Sequence, residues 1–129
     1  MKENDAIRLI KALLNSGGCE WAEERGWLRF RVKHDVMLWE TACMVRDRSA
    51  VFYGRFPFGC SDLPRARCVC NEINGQILRG SLFIEEDGHP VYRCRADVDD
   101  VYNAEDRIRD AIRYSAQVMI GFWGRLSGI

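Results

Sequence analysis

Histidine and proline are scarce, with His34 and His89 the only imidazoles and three prolines among 129 residues. Catalysis by a Cys–His or Ser–His pair therefore has few bases to draw on. Net charge is also lacking, because nineteen Lys and Arg balance nineteen Asp and Glu. Broad binding to nucleic acid or to an anionic membrane needs a surplus of cations, so neither is expected as a partner. No apolar run approaches the ~18 residues of a membrane span. The opening residues interrupt their apolar positions with Lys2, Glu3, Asp5, Arg8 and Lys11 and hold no signal-peptide core. A cytoplasmic location is the expectation, with the six cysteines reduced. Neither a Gly-rich phosphate loop nor a Walker-type lysine is present, which leaves nucleotide hydrolysis without footing. There is no C-x-x-C pair, and Cys68 and Cys70, two apart on an expected helix, project ~200° from each other. No metal or other cofactor is expected.

What is present is the composition of one folded domain, 47% hydrophobic and 29% charged. At this length about 65% of the chain's surface can be buried without disulfides or metal. No linker, repeat or low-complexity stretch divides residues 1–129, so a single domain is expected.

Ala6, Ile7, Ile10, Leu13 and Leu14 recur at helical spacing between Asn4, a capping residue, and the stop Gly17-Gly18. Past an acidic link at Glu20, Glu23 and Glu24, Leu28, Phe30 and Val32 alternate with Trp27, Arg29 and Arg31 as in a half-buried strand. Residues 36–45 follow, apolar on both parities, and such a strand calls for cover on both faces. A third strand over residues 50–58 carries Phe52, Tyr53, Phe56 and Phe58 and completes a meander. Asp62 then caps a helix that tolerates Pro64 in its first turn, buries Leu63, Ala66, Val69, Cys70 and Ile73, and stops at Gly75.

From Gln76 the period returns to two, with Leu78, Leu82 and Ile84 on one side, up to the hairpin turn Glu86-Asp87-Gly88. On the return strand Tyr92, Cys94, Ala96 and Val98 face inward while Arg93, Arg95 and Asp97 face water. Asn103 is placed to cap the last helix, whose stripe runs Ile108, Ile112, Ser115, Met119, Phe122 and Leu126. The expected fold is α+β in the order α-β-β-β-α-β-β-α, a five-stranded antiparallel sheet with helices packed on it.

That order, with Val69-Cys70-Asn71-Glu72-Ile73-Asn74-Gly75 closing the middle helix and Glu86-Asp87-Gly88 turning the hairpin, resembles the YbjN family. This family is related in fold to the type III secretion chaperones. The resemblance implies a non-enzymatic domain, often homodimeric, that binds other polypeptides or serves a regulatory role, and it supplies no catalytic residues.

Four tryptophans, six phenylalanines and four tyrosines are more than one sheet face can hide, so part of them should lie at an interface. Trp39, Tyr53, Phe56 and Phe58 are the candidates in the sheet, facing a second copy of the chain or a partner polypeptide. Phe122 and Trp123 are candidates in the last helix, where they anchor a segment containing Gly121 and Gly124. Each such glycine costs ~1 kcal/mol relative to alanine, so this end holds only if packed. Arg79, Arg93 and Arg95, with Arg29 and Arg31 on another strand, form a stripe suited to phosphate or an acidic peptide, though Glu85 and Asp97 share that surface. The competing class is a small thiol-dependent redox or metal-binding protein using Cys19, Cys60 or Cys68, thiols expected near the surface. The preferred reading is a non-enzymatic, chaperone-like or adaptor module acting as a homodimer.

Overall fold

A computed structural model describes residues 2–129. Helix α1 (Glu3–Ser16) precedes four consecutive strands, β1 (Trp21–Glu24), β2 (Trp27–His34), β3 (Met37–Arg46) and β4 (Ser49–Arg55). Helix α2 (Leu63–Asn74), the hairpin β5 (Ser81–Ile84) and β6 (Pro90–Asp97), and helix α3 (Ala104–Leu126) complete the chain. The strands form one antiparallel sheet in the order β1-β2-β3-β4-β6-β5. The α+β class holds, and the sheet has six strands rather than five.

The added strand is β1, read from the sequence as an acidic link. Ala22, Glu23 and Glu24 are exposed, so no apolar alternation marks it. Its signal is the turn: Arg25 and Gly26 both take positive φ, 52° and 84°, as a two-residue hairpin between twisted strands requires. A short, charged outer strand also discourages pairing with foreign chains. Asp35 and Asp47 take positive φ in the next two turns, a conformation that short polar side chains tolerate.

Register fixes which side chains share a face. Leu28, Cys43, Phe52 and Cys94 are successive cross-strand neighbours, and so are Phe30, Thr41, Gly54, Tyr92 and Leu82. These residues carry the core, and the helices pack over them. Helix α1 contributes Ala6, Ile10 and Leu14 at steps of four, α2 contributes Ala66, Cys70 and Ile73, and α3 contributes Ile108, Ala111, Ser115, Met119 and Leu126. Gly54 makes room for α3, because a Cβ there would lie 3.1 Å from Met119 Sδ. Trp123 is seated between Trp39, Phe56 and Phe58, with ring centroids 6.1, 5.6 and 5.3 Å away, and the glycine-containing end of α3 stays helical to Leu126.

Several local expectations are corrected. Strand β3 is covered on one face only, with Trp39, Thr41, Cys43 and Val45 buried and Glu40 exposed on the opposite parity. An antiparallel sheet can leave one face to water, and cross-strand neighbours give Ala42 and Met44 partial cover. Leu78 does not belong to β5; it lies in the preceding loop, 96% exposed. Asn4 lies inside α1, whose cap is Lys2 without a side-chain bond. Asn103 occupies the cap of α3 but also makes no side-chain cap bond, and Asp100 does the local work, its carboxylate accepting from the Tyr102 amide and Asn103 Nδ2 at 2.9 Å each. Asp62 caps α2 as expected, accepting the Arg65 N–H at 3.2 Å.

Asn74, in the segment that carried the family resemblance, closes the outer edge of β5. Its side-chain amide donates to the Leu82 carbonyl at 3.0 Å and accepts from the Leu82 N–H at 2.7 Å, standing in for a further strand. Replacing Asn74 by alanine leaves both backbone groups of a buried residue unpaired. Urea denaturation should register a loss of about 1–3 kcal/mol, while an unchanged midpoint would show that water serves Leu82 equally well. Trp123→Ala should cost about 3 kcal/mol in the same assay, and a loss below 1 kcal/mol would make Trp123 a free docking element instead of a core residue.

Candidate functional site

All three helices lie against one side of the sheet, and the other side is uncovered. Across its middle the register sets Ala22, Arg29, Ala42, Tyr53, Arg93 and Ser81 in one row, flanked by Arg31, Glu40, Arg55, Val91 and Phe83 in the next. The twist of the sheet shapes these rows into an open groove of about 720 Å³, with Trp27, Ala42, Tyr53, Phe83 and Val91 supplying apolar wall. Trp27 meets Tyr53 edge-on at 5.7 Å, which holds both rings upright in the groove.

The charges within the groove are paired. Arg29 Nη1 lies 3.2 Å from Glu40 Oε1, and Arg55 reaches Glu85 at 3.5 Å as well as Asp87. Asp87 accepts the His89 amide at 3.0 Å, and that bond, with Arg55 beside it, holds its carboxyl below the usual carboxylate range. His89 Nδ1 stands 3.1 Å from Arg55 Nη2, so this imidazole belongs to the hairpin turn. His34 sits at the β2–β3 turn, 3.6 Å from Asp35.

Of the six interface candidates from sequence, Tyr53 alone faces the groove with accessible surface. Trp39 and Phe56 are 2% and 0% exposed beneath the helices, so neither has surface to give a partner. For Trp39 the reason is parity, since it shares a face with Thr41 and Cys43; Phe56 follows the end of β4 and turns back into the core. Phe58, Phe122 and Trp123 are partly buried against the same core. The groove residues with accessible surface that the sequence reading passed over are Trp27 and Phe83, while Val91, 2% exposed, only floors the groove. Trp27 had a signal, as an aromatic on the arginine-bearing parity of β2, whereas nothing in the sequence joins β2 to β5 across four intervening pairings.

The thiols divide sharply. Cys68 is exposed and Cys19 half-exposed, while Cys43, Cys60, Cys70 and Cys94 are buried. Cys60, expected in an accessible loop, is only 7% exposed because its loop folds under α3, where the thiol donates to the Leu126 carbonyl at 3.6 Å. Burial pushes the Cys19, Cys60 and Cys94 thiols up, Cys70 up to about 11 and Cys43 up to about 12. A thiol held protonated is a poor nucleophile. Among the described residues no group of three or more His, Cys, Asp or Glu is placed to hold a metal ion.

At neutral pH, maleimide should label Cys68 first and leave Cys43 and Cys70 untouched until denaturant is added; rapid labelling of either in the folded protein would contradict the packing. The same burial sets an alkaline limit. Folded pKa values above the usual thiol value of 9.0 mean that stability is intact below pH 9, because both states keep the proton. From pH 9 towards 11 the unfolded chain alone loses protons, so the denaturation midpoint should fall steadily; a flat midpoint across that window would refute it. No family model, curated protein or solved structure matches this chain.

Proposed function

We propose that this chain is a non-enzymatic protein-binding module, chaperone-like or adaptor in kind, that acts as a homodimer joined through the uncovered face of its sheet. The observation that carries the reading is the placement of every helix on one side, which leaves Trp27, Tyr53 and Phe83 on a broad concave surface. Rigid aromatic side chains at the centre of a patch are what protein interfaces use as anchors. A second copy is the favoured occupant because the groove holds Arg29 and Arg55 beside Glu40 and Glu85. Under a two-fold axis such a mixed surface meets itself with opposite charges facing, without a foreign partner of complementary sign. Polypeptide binding by a paired α+β domain is also what the resemblance to the YbjN family and the secretion chaperones implies.

A thiol-dependent role fits less well, since the exposed Cys68 stands alone on a helix surface and the other candidates are held protonated.

Light scattering at tens of micromolar protein should give the mass of two chains. Trp27→Asp and Phe83→Asp, both on the uncovered face, should give one chain with an unchanged circular-dichroism spectrum. A wild-type monomer at that concentration would overturn the homodimer.

A further inference from the structure

The balance of charge in the groove ends at β6. Arg93 and Arg95 project from the uncovered face, and Arg79 lies at the sheet edge beside them. Together with Gly80 and Ser81 they line a separate concavity of about 420 Å³. None of the three guanidinium groups has a carboxylate partner among the described residues. Asp97, on the same parity, is turned away: it accepts the Asp99 amide at 2.9 Å and faces Arg107 at 3.9 Å.

Arg79 and Arg93 are nonetheless held in place. Arg79 is half-buried; its Nη2 donates to the Arg95 carbonyl at 2.9 Å, and its own carbonyl accepts the Tyr92 hydroxyl at 2.6 Å. Gly80 follows with φ 72°, pressed so close to β6 that a Cβ would lie 2.3 Å from the Arg93 carbonyl oxygen. Arg93 donates from Nε to the Tyr53 hydroxyl at 3.2 Å and lies over that ring at 5.9 Å. Arg79 and Arg93 spend one side-chain bond each and Arg95 none among the described residues, so most of the guanidinium N–H donors are free. Three like charges around one hollow repel one another, and a bound oxyanion removes that repulsion while accepting several charge-assisted bonds.

We infer that Arg79, Arg93 and Arg95, with the Ser81 hydroxyl, form a binding site for a phosphate group, either free or carried as a phosphomonoester on a polypeptide. Phosphate suits the hollow better than a carboxylate, because its oxygens are enough to engage all three guanidinium groups at once. The site adjoins the aromatic groove, since Arg93 touches Tyr53, and its phosphate affinity is read separately from the mass of the chain in solution.

The test is calorimetric titration of the full chain with inorganic phosphate, with a phosphoserine peptide and with its glutamate analogue, at matched ionic strength. Phosphate and the phosphopeptide should bind saturably, and at least tenfold more tightly than the glutamate analogue. Phosphopeptide stronger than inorganic phosphate identifies a phosphorylated chain as the source; equal affinities identify the free ion. Arg93→Gln and Arg95→Gln, both at exposed positions, should each weaken phosphate at least tenfold with the thermal midpoint unchanged, whereas Arg31→Gln, outside the hollow, should leave affinity unaltered. Absence of saturable phosphate binding, or equal affinity in the Arg93 and Arg95 variants, overturns the assignment.

Discussion

The seam between α3 and the sheet is the constraint on which the rest of the structure depends. A 23-residue helix presents Ile108, Ala111, Ser115 and Met119 to the row of small and aromatic residues on β4 and β6, and Gly54 eases the fit, since a Cβ there would lie 3.1 Å from Met119 Sδ. Once that seam is filled, α1 and α2 close the remaining core on the same side. A sheet carrying all its helices on one side must leave the other to water or to a partner. The uncovered groove is therefore a consequence of how the core is satisfied.

Edges and faces are treated differently in this molecule. The β5 edge is sealed by Asn74, and β1 at the opposite edge is short and charged, so neither offers a long unpaired ladder to a passing strand. The uncovered face keeps Trp27, Tyr53 and Phe83 at the surface with their neighbouring charges paired. Protection at the edges combined with apolar exposure on a face favours face-to-face association over strand addition. The three unneutralised arginines beside β5 stand apart from that balance and give the surface a second, purely electrostatic character.

Much of this was legible in the sequence, for reasons that can be located. The inward set Tyr92, Cys94, Ala96 and Val98 and the helical stripes follow from periods of 2 and 3.6, because burial enforces them residue by residue. Strand β1 was hidden because an outer strand with three exposed residues has no burial to enforce a pattern. Leu78 misled because an apolar residue in a loop looks like one in a strand when the period is read across only a few positions. The site was harder still. Counting aromatics indicated a surplus, but which of Trp39 and Trp27 was buried depended on the side the helices chose, and that is decided by contacts distant in the chain. All three arginines of the hollow were visible as a stripe in the sequence; what the structure adds is that Arg79 lies in the loop before β5, set against β6 by the close approach at Gly80.

The central claim is that the sheet face opposite the helices is occupied by a second copy of this chain. Hydroxyl-radical footprinting read by mass spectrometry, compared between nanomolar and high micromolar protein, tests it residue by residue. The account predicts that Trp27, Tyr53 and Phe83 are oxidised when dilute and protected when concentrated, while Tyr102, 90% exposed in the turn before α3, is oxidised equally at both. Oxidation of Trp27 and Phe83 that is unchanged by concentration would contradict it.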